Sequence, residues 1–470
     1  MYSPGNTDRT QKIYFDLLIS PRVVGYSEGD PVPGQCSNKE GVWPLPALTL
    51  EARSEVIRLN FSAAAPNIRG ACNNREEVTY KVYQRYICDE KDMENAFFEA
   101  LKNFKDISSI ETWGSRVSSL GPHKNRLVFA NYAPIGSVYA VIAAAVNGSS
   151  LYGLGHSYGC DLDPVTGACH QETLAIVQIS CACSLFAGLL LAFMGHKYFL
   201  GSQILFGFYA GVYIGYILLQ VFCDLEFYFL FFLVMACGVG MAITTVSIWI
   251  FLGIPVLSVV LPTLEVGVVL ASVVLYLPET NTITLTTSLH YWLVYACLVL
   301  AGPISLLAFT HKAHILACVI VGSVLVMIPV DFFLGTGLRF IFLNVLRRSY
   351  VRDYREAIFV PLLQSEELLV LACWLATIAL ALLTQLLVQR GRPPFPPSPF
   401  QQWRWRREAE QEETEPLLSS DPGLEEQEGR VVRPAVVGFI QARPERPRER
   451  KHNRRDPPGP SAPSLDGNVN

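Results

Sequence analysis

Residues 227–248 read FYFLFFLVMACGVGMAITTVSI, 22 residues without a charged side chain. A helix that crosses a membrane needs about 20 apolar residues, so this run decides the class of the fold. Outward from it, six more runs qualify. Thr173–Met194 and Phe199–Phe222 precede it, and Gly253–Leu277, Tyr291–Phe309, Ile315–Phe333 and Leu368–Val388 follow. Seven spans are therefore expected within residues 173–389. The weakest is Gly253–Leu277, which contains Pro255, Pro262 and Glu265 and follows its predecessor with almost no polar break. The predicted fold class is a membrane α-helical bundle of seven transmembrane helices. An extracellular or luminal β-rich, sandwich-like domain (1–172) precedes it, and a disordered tail (390–470) follows.

Composition agrees. Apolar residues make up 51% of the 470 and charged residues 17%, against about 25% charged in ordinary soluble domains. A soluble enzyme and a wholly disordered chain are both excluded. The net charge of −4 gives no reason to expect a nucleic-acid partner. The charge is blocked, however. Residues 408–428 hold nine acids and no Lys or Arg, and residues 430–455 hold nine basic residues against two acids. Such blocks stay solvated.

In the first region Glu55–Phe61, Thr79–Ile87, Arg126–Tyr132 and Val138–Val146 read as strands, and Thr79–Ile87 (TYKVYQRYI) is dense in aromatic and β-branched residues. Apolar residues at helical spacing predict one helix over Met93–Phe104. Sequons stand at Asn60 and Asn147, and cysteines at 36, 72, 88, 160 and 169. Together they point to a glycosylated, disulfide-forming compartment. Cys160 with Cys169 is one candidate pair, Cys36 with Cys72 a second, and Cys88 is left odd. Five buried thiols is the alternative. Asp161 and Asp163 fit a turn better than a calcium loop, which needs six or more oxygens. No secretory signal opens the chain, and MYSPGNTDRT runs abruptly into what reads as strand material. The chain is therefore expected to lack its natural start.

Orientation follows from Arg390, Arg392, Arg404, Arg406 and Arg407 just after the last span. They predict a cytoplasmic tail, and with seven spans the first region then lies outside. Against this, the connection between spans six and seven carries Arg339, Arg347, Arg348, Arg352 and Arg355 yet falls on the outer side. Leu343, Leu346, Tyr350, Tyr354 and Ala357 share a helical face there, which predicts an amphipathic helix on the membrane surface.

Candidate chemistry is sparse. Glu265 is the one acid in the middle of a span and could hold a proton or cation. Asp331, at the end of span six, reads as structural. His311 and His314 form an H-x-x-H with no third ligand nearby in sequence. Cys181 and Cys183 read as small apolar fillers. Gly207, Gly211 and Gly215 make a smooth face on span two for packing within the bundle. In the tail, Glu413, Leu417 and Leu418 match an acidic dileucine signal, which clathrin adaptors read. Trp403 and Trp405 alternate with arginines, as suits a membrane interface. The basic run Arg446–Arg455 reads as solvated. No phosphate-binding loop, nucleophile elbow, zinc helix or paired catalytic carboxylates are found, nor the rhodopsin-type receptor triplets. No catalytic residue, cofactor or metal is predicted.

YSEGDPVPGQC (Tyr26–Cys36), HSYGC with the following GAC, LNVLRR (Leu343–Arg348), RGRPPFPPSPFQQW (Arg390–Trp403) and the E-x-E-P-L-L tail resemble the transmembrane seven superfamily member three family. The resemblance runs from about residue 12 to about 420, and the membrane core also resembles the wider family shared with transmembrane protein one-nine-eight. It implies a glycosylated outer β-rich region, seven spans and a cytoplasmic tail, at the plasma membrane and in endomembranes. It implies a non-enzymatic role through protein partners in cell survival, in damping endoplasmic-reticulum stress and in insulin secretion. By position, Cys36, Cys72, Cys160 and Cys169 match family cysteines and Asn147 a glycosylation site. The tail beyond about residue 420 departs from the family pattern. Two other readings stand beside it: an ion or small-solute transporter using Glu265, and a receptor of non-rhodopsin type sensing through the β domain.

Overall fold

The computed structural model describes residues 30–33, 48–52, 55–66, 78–87, 93–132, 135–146, 148–157, 175–223, 225–277, 288–362, 364–390 and 395–418. Strands β2 (Leu48–Ala52), β3 (Val56–Phe61) and β7 (Arg126–Ala130) form one antiparallel sheet. A second has the order β6-β5-β8-β9, from Ser115–Leu120, Thr79–Ile87, Gly136–Ala144 and Ser149–Ser157. A short ribbon pairs β1 (Pro31–Pro33) with β4 (Ala64–Pro66). The two larger sheets close on Ile57, Leu59, Phe61, Val82, Phe129, Tyr139, Val141 and Tyr152, so the domain is a sandwich.

Helices α1 (Met93–Asn103) and α2 (Ile107–Trp113) cover the outer face of the second sheet, where Phe97, Phe104 and Ile110 meet Ile87, Val138, Ala140 and Ile142. That sheet is thus buried on both faces. This explains why β8 (GSVYAVIAA) is apolar throughout rather than alternating. The strands at Thr79–Ile87 and near Glu55–Phe61, Arg126–Tyr132 and Val138–Val146 stand where the sequence places them.

Among the described residues seven long helices follow: α3 (Ala175–Met194), α4 (Phe199–Phe222), α5 (Phe227–Leu252), α6 (Pro255–Tyr276), α7 (Ser288–Leu306), α8 (Thr310–Leu334) and, after a short α9 (Phe340–Tyr350), α10 (Ser365–Gln389). By length and hydropathy they make six apolar segments, one being Ser288–Leu334 with 47 residues. A straight helix of that length would run roughly 70 Å, over twice the bilayer core. The 3₁₀ turn Leu307–Phe309 breaks it into α7 and α8. Large apolar side chains face outward along the bundle, among them Phe186, Leu190, Phe232, Ile243, Leu293 and Ile304, each more than half exposed. Such an outward apolar surface fits a lipid surround. The weakest predicted span is a full helix: Pro255 stands at its first turn, where no backbone donor is lost, and Pro262 is accommodated inside it.

Two expectations need correction. The tail is not disordered from residue 390, because Pro399–Leu418 form helix α11. Its start is a capping box hidden in a proline-rich run. Ser398 Oγ accepts from the Gln401 amide at 3.2 Å, and the Gln401 side chain accepts from the Ser398 amide at 3.4 Å. The second correction concerns α9. The helix is present but ends at Tyr350; Tyr354 lies in a separate turn, Asp353–Glu356, and Ala357 follows that turn. Its most buried residues are Phe340, Ile341, Asn344, Val345 and Arg348, while Leu343, Leu346 and Tyr350 are only half-buried. Protein rather than lipid covers it.

Candidate functional site

The β domain and the helices belong to one compact unit, Met1–Glu408. They are joined by the connection between α8 and α10. At its start Asp331 is fully buried and accepts from Thr336 Oγ1 at 2.6 Å, the Leu338 amide at 2.7 Å and the Arg339 amide at 3.1 Å. This turns the chain sharply into α9, in the structural role read from sequence.

On α9, Asn344 is central. Its Nδ2 donates to Tyr132 Oη of the β domain at 3.1 Å, and its Oδ1 accepts from Tyr354 Oη at 2.6 Å. The Tyr132 ring lies 4.6 Å from Phe340 and 5.7 Å from Tyr86. Burial raises the Tyr86, Tyr132 and Tyr354 phenols above their ordinary value, so all three stay neutral. One apolar cluster spans the junction. Val56, Val128 and Tyr132 come from the domain, Leu275 and Tyr291 from α6 and α7, and Phe340, Phe359 and Leu362 from the connection.

The connection also extends the sheet. Ile358 bridges Phe129 of β7 in parallel. Its amide donates to Val128 O at 2.9 Å, and the Ala130 amide donates to Ile358 O at 3.3 Å. This covers an edge that would otherwise be open. Leu362 N then donates to Tyr276 Oη at the end of α6.

Three of the five arginines that strain the predicted topology are used inside this block. Arg339 reaches Asp331 at 3.9 Å. Arg347 donates to Asn131 O at 2.9 Å. Arg348 stacks 4.0 Å from the Tyr291 ring centroid, and burial holds its guanidinium below the ordinary value, opposed by Tyr291 and Tyr354. Asp353, beside Arg352, bonds Arg58 of β3. These cations sit where the β domain needs them, so the connection lies at the domain's end of the bundle whatever its charge.

Beside the block a cleft of about 700 Å³ opens between the domain and the start of α10, lined by Gln84, Arg85, Glu99, Trp113, Gln364 and Glu366 among others. Any molecule seated there touches both parts.

The other sequence candidates are scattered. Asn60 lies half-buried in β3, paired with Thr49 and Arg126. Asn147, Cys36, Cys72, Cys88, Cys160, Cys169, Asp161, Asp163 and the run 446–455 lie outside the described residues. Glu413, Leu417 and Leu418 fall on the last turns of α11, with their side chains outside the description. Trp403 and Trp405 are half-exposed. The Gly207, Gly211 and Gly215 face of α4 packs on α5 at Cys237, Gly238, Met241 and Ala242. Glu265 sits mid-way along α6. His311 and His314 gain a neighbour that sequence spacing could not show, His196, more than a hundred residues away, and His314 also meets Cys318 four positions on. Among the described residues no group of three or more His, Cys, Asp or Glu is arranged to hold a metal ion.

Comparison with known proteins places this architecture. Residues 181–386 match the TM7S3/TM198-like domain, and residues 31–163 match the TM7SF3-like, second immunoglobulin-like domain. The chain is 26% identical over 400 residues to the mouse protein Transmembrane 7 superfamily member 3, covering 82% of this chain and 71% of that one. It is 25% identical over 402 residues to the human protein of the same name, covering 82% and 70%. No solved structure matches significantly. The chain is a multispan membrane protein with an immunoglobulin-like domain, and both parts match, in order, domains of the transmembrane 7 superfamily member 3 family.

Proposed function

We propose that the protein is a non-enzymatic coupling protein. Protein partners engage the immunoglobulin-like domain, and the block from Asp331 to Leu362 passes that engagement to the helices. The supporting observation is the bridge of Ile358 onto β7, by which a loop between two membrane helices becomes part of the domain's own sheet. A partner that shifts this sheet, or fills the cleft beside it, bears directly on α9 and α10. In the cell this would serve survival and the damping of endoplasmic-reticulum stress, as the family resemblance implies. The domain faces the lumen or exterior and the tail the cytoplasm, at the plasma membrane and in endomembranes. The arginines after α10 and the sequons at Asn60 and Asn147 support that orientation. Glu413, Leu417 and Leu418 would direct traffic through clathrin adaptors.

The test uses cells lacking the protein, rescued with wild type or with Ile358→Pro. The proline removes the amide that bonds Val128 O. Stress-reporter output after blocking glycosylation is expected to fall with wild type and to stay high with the variant, at equal surface expression. Proximity labelling from the tail is expected to give a different partner set for the two. Equal rescue and identical partner sets would refute the coupling.

A further inference from the structure

The end of the bundle away from the β domain holds a second set of polar groups, which play no part in the junction. The turn between α3 and α4 brings in His196, and the first turns of α8 bring in His311 and His314. His196 Nδ1 lies 3.0 Å from His314 Nδ1, with both rings buried. Two ring nitrogens at that distance share one proton, one donating and the other accepting. His314 Nε2 also faces Ser202 Oγ at 3.3 Å and Gln203 Nε2 at 3.4 Å.

One turn deeper, Cys318 Sγ lies 3.6 Å from His314 Nδ1. Glu265 of α6 stands next to Val266, which packs in the same buried cluster as Cys318. The helix rise puts Cys318 roughly 12 Å along α8 and Glu265 roughly 15 Å along α6 from that end, so the groups descend toward mid-membrane. Glu265 Oε1 and His311 Nδ1 are buried with no hydrogen-bond partner among the described residues. Buried polar atoms are rarely left so without a use, and in a membrane the cost is larger. The surrounding wall is apolar: Leu191, Phe206, Val266 and Val321.

The titratable and charged groups here are His196, His311, His314, Cys318 and Glu265. Lys197 and Lys312 at the rim lie instead over the rings of Tyr198 and Phe309. From α5 come Thr245, on Gln203 O, and Trp249, on Phe199. The mouth is closed by the tail. The Phe395 ring lies 5.9 Å from His196, 6.1 Å from His311, 6.3 Å from His314 and 5.5 Å from Phe199. It is held by buried Ser398, which caps α11, and by Gln401 Nε2, which donates to Gly253 O at 3.1 Å.

We infer that this track is an intramembrane proton-binding site: Glu265 exchanges its proton with the tail-side solution through Cys318 and the His314–His196 pair, and Phe395 stoppers the mouth. Only O–H, S–H and N–H bonds form and break, and the proton leaves to water at His311. A metal ion is the poorer ligand. The His196 ring meets the other two edge to face, at 70° and 61°, rather than converging with them on one point. The inference goes beyond partner coupling and does not depend on it.

The experiment uses the full chain in lipid vesicles with peptide-level mass spectrometry. A water-soluble, membrane-impermeant carbodiimide is expected to modify Glu265 several-fold faster in Phe395→Ala than in wild type, from the tail side only. A rate unchanged by the substitution, or equal from both sides, would overturn the stoppered entry. On wild type, lipid-soluble dicyclohexylcarbodiimide, which needs a protonated carboxyl, is expected to modify Glu265 more slowly as tail-side pH rises. A rate independent of tail-side pH would overturn the exchange.

Discussion

Tyr132→Ala is expected to lower the thermal unfolding temperature of the detergent-solubilised protein by about 5–10 °C, with Tyr132→Phe costing less. The ring is 1% exposed and packs on Phe340 and Tyr86, from the helix connection and the β domain respectively. Removing such a ring leaves a cavity and costs about 3–5 kcal/mol. The hydroxyl adds a smaller share. Without it Asn344 Nδ2 loses its acceptor, at about 1–3 kcal/mol for a buried donor left unpaired. The two variants thus separate packing from hydrogen bonding. If the alanine variant melts like wild type, the domain and the helices are not held together at this point.

Gly211→Leu is expected to abolish the monodisperse peak in fluorescence-detected size exclusion, while Gly240→Leu leaves it unchanged. At Gly211 a β-carbon would sit 2.7 Å from both Cys237 O and Met241 Cβ and 2.9 Å from Gly238 Cα. Two of these belong to the α5 backbone, which cannot move aside without parting the α4–α5 pair. Overpacking costs about 1–3 kcal/mol where side chains can give way, and more where backbone is struck. Gly240, on the same partner helix, has nothing within 4 Å of its β-carbon. Equal behaviour of the two variants would show that the glycine face of α4 is not a packing surface.

The contrast between these sites shows what a sequence can carry. The glycine face is legible because four-residue spacing and helix geometry alone place three glycines together. The strand Thr79–Ile87 is legible because its aromatic and β-branched residues suit a pleated surface. β9 (SSLYGLGHS) is not legible because its glycines and polar residues give no such signal, nor is β2, because LTLEA is short and half-exposed. The cover of α9 is not legible for a different reason. Amphipathicity reveals that a face is covered but not by what. In this chain the cover is Tyr132, Tyr354 and Phe359 rather than lipid, and the arginines serve Asp331, Asn131 O and the Tyr291 ring. His196 carries no signal in sequence because its partner is 118 positions away. Ser398 carries none because a proline-rich run conceals its capping box.

The most direct test of the coupling is hydrogen exchange over residues 351–362 and 126–132 in the full chain in lipid nanodiscs. A loop woven into the sheet predicts that the Ile358 and Ala130 amides, bonded to Val128 O and Ile358 O, exchange slowly and together, alongside the β3–β7 ladder. Free-loop exchange over 351–362 with 126–132 still protected would contradict it, and the domain would then be merely tethered to the helices.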